Sequence, residues 1–290
     1  MTTGMQGKTV LISGATNGIG QITAIELAKL GARVVIIGRS PTKTADTLKT
    51  IQTASGNPDV HSLIGDLSLM KDVRQVAASF LQQFDRLDVL VNNAGAIFNE
   101  RQETAEGLEM TFALNHLNYF LLTHLLLDRI KASAPARIVN VSSDAHTMGP
   151  LNVDDLQLKQ GYGMGGFKAY SQSKLMNIMF TYELARRLAG TGVTVNALHP
   201  GFVTTGFGRN NKGLMSFAMN IVTLFALKPE DGAKTSIYLA SSPEVEGITG
   251  QYFEKCKAKP SSPASYDEAA QARLWTISEA ITGIAQSAAV

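Results

Sequence analysis

Tyr170 and Lys174 are the pair in this chain best suited to moving a proton; they stand in the run Ala169-Tyr170-Ser171-Gln172-Ser173-Lys174. On a helix this spacing places both side chains on one face, one turn apart. A phenol titrates near ~10 in water, too high to exchange protons readily at neutral pH. An ammonium held beside it favours the phenolate and lowers that value, so a tyrosine tuned in this way can act as general acid or base. The same spacing also arises from a surface tyrosine with a snorkelling lysine one turn on, so the rest of the chain must supply the context.

A second stretch suits phosphate. Gly14-Ala15-Thr16-Asn17-Gly18-Ile19-Gly20 follows the β-branched run Lys8 to Ser13 and leads into a helical pattern from Ile19 to Leu30, closed by Gly31. Glycines let backbone approach a pyrophosphate, and a helix N-terminus offers free N–H groups and partial positive charge. The spacing is G-x-x-x-G-x-G rather than G-x-G-x-x-G, and a tight strand-to-helix connection is the other reading of it. The next strand, Arg33 to Ile37, ends at Gly38-Arg39-Ser40, where a dinucleotide fold meets the adenosine ribose. No acid stands there to bind a free 2′-hydroxyl. Arg39, with Ser40 and Lys43 nearby, offers a fixed charge for a 2′-phosphate, which points to NADP over NAD; a solvent-exposed loop arginine is the alternative.

Composition sets outer limits. The 290 residues are 44% apolar, enough for a sizeable core, and the net charge of +2 with dispersed Lys and Arg gives no argument for nucleic acid. A single cysteine, Cys256, excludes an intramolecular disulfide and a multi-cysteine metal site and fits a reducing compartment. The polar start, Met1 to Gly7, reads as neither signal peptide nor anchor, so the expectation is a soluble cytoplasmic protein without a membrane span. Gly213 to Leu227 is apolar but short and is interrupted by Ser216 and Asn220, so it reads as a helix covering a pocket, with peripheral membrane contact as the lesser alternative. His116, His146 and His199 lack the paired carboxylates and spacing of a metal site or triad, so no metal is expected and they read as structural or surface residues.

Elements that could position these groups alternate along the chain. Further strands are expected at His61 to Gly65, Leu87 to Val91, Arg137 to Val141, Thr194 to Leu198 and Gln251 to Phe253. Leu69, Val73, Val76, Ala77, Phe80, Leu81 and Phe84 form a helical stripe, as do Leu175, Ile178, Met179 and Tyr182 on the helix of Tyr170. A helix is expected from Lys43 to about Ser55, another from Glu103 to Lys131 with Asn115 amid apolar residues, and a last one after Pro229. The reading is one α/β domain: a Rossmann fold with a doubly wound, seven-stranded parallel sheet and helices on both faces. Its core spans about 7–253, with 203–228 as a substrate-pocket segment and 254–290 as a C-terminal extension. Gly14, Arg39, Asp66, Asn92, Ser143 and Pro200 then all follow strand ends, on the edge where such sheets bind ligands.

Taken in order, Gly14, Gly18 and Gly20; Asp66-Leu67; Asn92-Asn93-Ala94-Gly95; Asn115; Ser143; Tyr170 with Lys174; and Pro200-Gly201 resemble the signatures of the short-chain dehydrogenase/reductase family from about Gly7 to Phe253. The stretches NHLNYFLLTHLLL and AYSQSKLMNIMFTYELARRL, and the 27 positions from Ser143 to Tyr170, resemble its retinol dehydrogenase group and that group's bacterial relatives. The resemblance implies Tyr170 as proton donor or acceptor, Lys174 lowering its pKa and holding the nicotinamide ribose, Ser143 bonding the substrate oxygen, and Asn115 anchoring a water relay. It implies Gly14, Asn17, Gly18, Ile19 and Gly20 at the pyrophosphate, Arg39 and Ser40 at the 2′-phosphate, and Asp66 and Leu67 at the adenine. Asn93, Ala94 and Gly95 would lie on the adenosine side, and Pro200, Gly201, Val203 and Thr205 by the nicotinamide. Ser13 stands where the family has threonine.

The expected function is NADP(H)-dependent hydride transfer to or from an apolar alcohol, aldehyde or ketone, by a homo-oligomer packed through the helices of Asn115 and Tyr170. A non-catalytic NADP(H)-binding regulator is the rival reading, against which the retained Tyr and Lys argue. A sugar epimerase or dehydratase shares Tyr-x-x-x-Lys, but the chain after Pro200 is short for its larger substrate domain.

Overall fold

The computed structural model describes residues 4–201 and 228–284. Among these residues eight strands form one sheet in the order β3-β2-β1-β4-β5-β6-β7-β8. They are β1 (Thr9–Ser13), β2 (Arg33–Gly38), β3 (Val60–Ile64), β4 (Val89–Asn92), β5 (Ala136–Val141), β6 (Val193–His199), β7 (Gln251–Glu254) and β8 (Lys257–Lys259). The first seven pair in parallel, as expected. The eighth is an addition: β8 turns back antiparallel on β7 through Lys255 and Cys256, both at positive φ (50° and 59°). Two left-handed residues make the hairpin geometry that matches strand twist, and it hid from sequence because neither is glycine or asparagine.

Between the strands run α1 (Gly18–Lys29), α2 (Pro41–Ser55) and α3 (Met70–Gln83). Each has a local reason: Ser40 accepts the Lys43 N–H at the start of α2, and left-handed Gly56 ends it. In α3 Val73, Val76, Ala77 and Phe80 are fully buried, the face that the 3.6-residue stripe predicts. Burying a side chain such as Phe80 contributes roughly 2–3 kcal/mol.

The helix expected from Glu103 starts seven residues later. Residues 103–109 form a turn in which Glu103 and Glu109 pair as an isolated bridge, and the Glu109 carboxylate caps the N–H groups of Thr111 and Phe112. After one helical turn, Met110–Phe112, the backbone widens into a π-helical segment, Ala113–Leu117, before α4 (Asn118–Ala132). Then follow α5 (Phe167–Arg187), α6 (Pro229–Ser241) and α7 (Glu268–Thr282).

α5 is the central helix: every residue from Ser171 to Ala185 is buried, polar ones included. It is enclosed by β5, β6, the π-helical segment and α7. The last of these belongs to the core rather than trailing from it, because Trp275 stacks among Phe120, His124 and Phe180 with its ring under Arg187. A second apolar cluster, including Val10, Ile12, Leu27 and Val34, lies between the sheet and α1, so both faces are covered. Strand order reverses between β1 and β4, and the loops after β1 to β6 all leave the same edge.

Candidate active site

At that edge the turn after β1 is set by sterics. Gly14 (φ +66°) and Gly18 (φ +52°) are left-handed, and a Cβ on Gly14 would stand 2.7 Å from the Ala94 Cα. A Cβ on Gly20 would stand 2.6 Å from the Gly14 carbonyl oxygen. The turn is bolted to the loop after β4: the Asn93 and Ala94 N–H groups donate to Ser13 Oγ (2.9 and 3.1 Å), and Asn93 Nδ2 donates to the Ser13 and Gly14 carbonyls, both at 3.0 Å. Asn93 thus spends its amide N–H groups bracing the turn, and the Ser13 hydroxyl is what ties it. Exposed Asn17 heads α1 without a side-chain cap, so the first-turn N–H groups, that of Ile19 among them, keep donor capacity for an anion.

Arg39, 75% exposed, follows β2 and reaches Asp66 Oδ2 only at 3.5 Å. Ser40 is engaged as the α2 cap. After β3, Asp66 accepts from the Ser68 N–H and hydroxyl (3.0 and 2.7 Å), and Leu67 is buried.

Asn115 sits in the π-helical segment, where the widened backbone turns its side chain across the loop after β4. Its Oδ1 accepts the Ala96 N–H (2.9 Å), and its Nδ2 donates to the Ala96 carbonyl (2.9 Å) and to Ser173 Oγ (3.0 Å). Gly95 passes between Asn115 and Lys174, since a Cβ there would stand 3.2 Å from Asn115 Oδ1 and 3.5 Å from Lys174 Nζ. Lys174 is buried; its Nζ donates to the Val141 carbonyl (3.0 Å) and lies 5.5 Å from the Tyr170 ring centroid. Ser143, just past β5, lies beside the Tyr170 phenol, whereas Ser142 donates to the Lys174 carbonyl at 2.7 Å and is structural. Four of the predicted residues, Asn115, Ser143, Tyr170 and Lys174, therefore meet at one point of the sheet edge. Pro200 and Gly201 follow β6 on the same edge, while Val203 and Thr205 lie outside the described residues.

The electrostatics differ from the sequence expectation. Burial pushes the Tyr170 phenol up to about 12, offset in part by Ser143, and burial pushes the Lys174 ammonium down to about 7. Desolvation outweighs the attraction of the pair because Nζ is directed to Val141 rather than to the phenol oxygen. With the chain's own groups alone, Tyr170 is a protonated donor at neutral pH. Sequence reading missed Ser173, which holds Asn115, and Tyr119, whose buried hydroxyl lies 3.4 Å from the same Val141 carbonyl; neither type nor spacing marked them out. Among the described residues no three His, Cys, Asp or Glu side chains are grouped to hold a metal, and no helix is long and apolar enough to cross a membrane.

A sequence profile of the short chain dehydrogenases matches residues 8–154 and 158–213. Human retinol dehydrogenase 14 is 46% identical over 296 residues, covering 97% of this chain and 88% of that protein. A crystal structure of an uncharacterized protein from Mycobacterium paratuberculosis superposes with a TM-score of 0.77 at 31% identity, over 97% of this chain and 96% of that one. The Pseudomonas aeruginosa RhlG/NADP active-site complex does so with a TM-score of 0.69 at 27% identity, over 86% and 94%. With its glycine turn, its serine, tyrosine and lysine at one sheet edge, and these relatives, the chain belongs to the short-chain dehydrogenase family, oxidoreductases that interconvert CH–OH and C=O with a nicotinamide cofactor.

Proposed function

We propose that the chain uses NADP(H) and acts on apolar aldehydes, ketones or the corresponding alcohols. The observation that carries the cofactor choice is Arg39: a loosely held, exposed guanidinium at the end of β2, with no acid in the place that a free 2′-hydroxyl would require. The uncapped start of α1 is a further positive centre on that edge, suited to the pyrophosphate of a dinucleotide. The NADP in the Pseudomonas aeruginosa relative supports the same choice, and similarity to retinol dehydrogenases supports an apolar substrate.

The dinucleotide, when bound, supplies the hydride and, when oxidised, a positively charged ring. Tyr170 Oη donates its proton to the carbonyl oxygen of the substrate, and the Ser143 hydroxyl donates a hydrogen bond to that oxygen as charge gathers on it. A phenol held up to about 12 is protonated at neutral pH, the form that carbonyl reduction needs. Alcohol oxidation needs the phenolate, so it depends on added positive charge near Tyr170. Lys174 would hold the nicotinamide ribose, and Asn115 fixes the loop after β4 against α5. In the same reading the protein is a cytoplasmic homo-oligomer, which fractionation and sedimentation check. NADPH oxidation with a panel of apolar carbonyl compounds tests the substrate class. Arg39→Asp tests the cofactor: preference should move toward NADH, and an unchanged NADPH preference refutes the assignment of the 2′-phosphate site.

A further inference from the structure

Two histidines flank the peptide that follows Ser143, and their partners fix their protonation without ambiguity. His146 Nδ1 lies 2.8 Å from the Ser143 carbonyl oxygen, which can only accept, so Nδ1 carries the hydrogen. His146 Nε2 lies 3.0 Å from the Ser262 backbone nitrogen, whose N–H can only donate, so Nε2 carries a lone pair. The ring is thus neutral. On the other side the Asp144 N–H donates to His199 Nδ1 at 3.2 Å, which makes that imidazole an acceptor as well. Neither ring is hydrogen-bonded to the Ser143 hydroxyl, so this is not a nucleophile with its base. The Ser143 hydroxyl itself accepts the Ala145 N–H (3.2 Å) and meets Tyr170.

We propose that His146, seconded by His199, is a positioning residue for Ser143: two neutral imidazoles clamp the Ser143–Asp144 peptide, and the segment after β8 holds His146 in place. The inference rests on reading Ser143 as the group that bonds the substrate oxygen. The segment is itself anchored, since Ser261 Oγ meets the Tyr182 hydroxyl on α5 at 2.6 Å and the Ser261 N–H donates to Tyr266. Residues beyond β7 therefore reach the site through one ring. Protonation of either imidazole sets an N–H against an N–H and releases one side of the clamp. Among the described residues, the charged and titratable groups facing His146 are Asp144, His199 and the Tyr252 ring, 5.0 Å between centroids, and those facing His199 are Asp144, Glu254, His146 and Lys259. Burial holds both histidines below their ordinary value and outweighs these carboxylates, which supports neutral rings at physiological pH.

The test is the pH profile of kcat for carbonyl reduction at saturating NADPH, for wild type, His146→Asn, His146→Phe and Ser143→Ala. Wild type should lose kcat reversibly on the acid side, below about pH 6.5, a limb that a protonated tyrosine donor does not produce. His146→Phe should lower kcat by at least about tenfold with NADPH affinity unchanged. His146→Asn, which keeps a donor for the Ser143 carbonyl but does not titrate, should recover much of kcat and displace the acid limb. If His146→Phe folds poorly, the displaced limb in His146→Asn decides. An acid limb identical in wild type and His146→Asn overturns the clamp, as does full kcat in His146→Phe while Ser143→Ala is inactive. An active Ser143→Ala instead overturns the role given to Ser143, and the clamp with it.

Discussion

Gly14→Ala should separate two costs that Gly56→Ala does not combine. Both glycines are left-handed, at φ +66° and +68°, but a Cβ on Gly56 meets nothing within 4 Å whereas one on Gly14 meets the Ala94 Cα at 2.7 Å. A left-handed alanine costs roughly 1–2 kcal/mol, of which about half is returned by the stiffer unfolded chain. Gly56→Ala should therefore destabilise by about 1 kcal/mol. Gly14→Ala adds overpacking against backbone that cannot swing away, a further roughly 1–3 kcal/mol, for a total of about 2–4. Equilibrium urea unfolding measures both, and titration with NADPH reads the turn itself. The expected result is weakened cofactor binding for Gly14→Ala alone. Equal stability losses in the two variants, or full NADPH affinity in Gly14→Ala, would refute the claim that the turn after β1 is held by its contact with Ala94.

Other outcomes follow from the interior. His116 is fully buried, and burial lowers it from 6.5 to about 4. The unfolded chain binds its proton first, so this stability is fully present above pH 6.5 and is lost as pH falls; between pH 7 and pH 5, His116→Gln should lose about 2 kcal/mol less than wild type in urea unfolding. An identical slope would mean that the ring is not held neutral. Trp275→Ala should cost about 3–5 kcal/mol, because the ring fills the core against Phe120, His124 and Phe180; a loss under about 1 kcal/mol would make α7 a peripheral appendage.

Much of the fold was legible because parallel strands are short β-branched runs and α3 carries a clean apolar stripe. The sheet edge followed from the order of the elements, whereas the gathering of Asn115, Ser143, Tyr170 and Lys174 there was implied by the family resemblance, since pattern alone left Asn115 structural or functional. What escaped has physical causes. Residues 103–109 look helical in composition, yet the Glu109 carboxylate caps the helix and stops it from extending backward. The π-helical segment at Asn115 is a response to contacts with Ala96 and Ser173, which lie far apart in sequence. α7 does repeat at Gln271, Leu274, Trp275, Ser278 and Thr282, but polar residues on that buried face hide the stripe. The Tyr170 value escaped as well, because spacing conveys who is near but not how much water has been removed.

The most direct test of the central claim is the rate of carbonyl-dependent NADPH oxidation by Tyr170→Phe, a change that deletes one oxygen and leaves the ring in place. The account predicts that NADPH still binds and that turnover falls by about 10²–10⁴-fold or more. Turnover at the wild-type rate would contradict it, because the proton would then reach the substrate oxygen from another group.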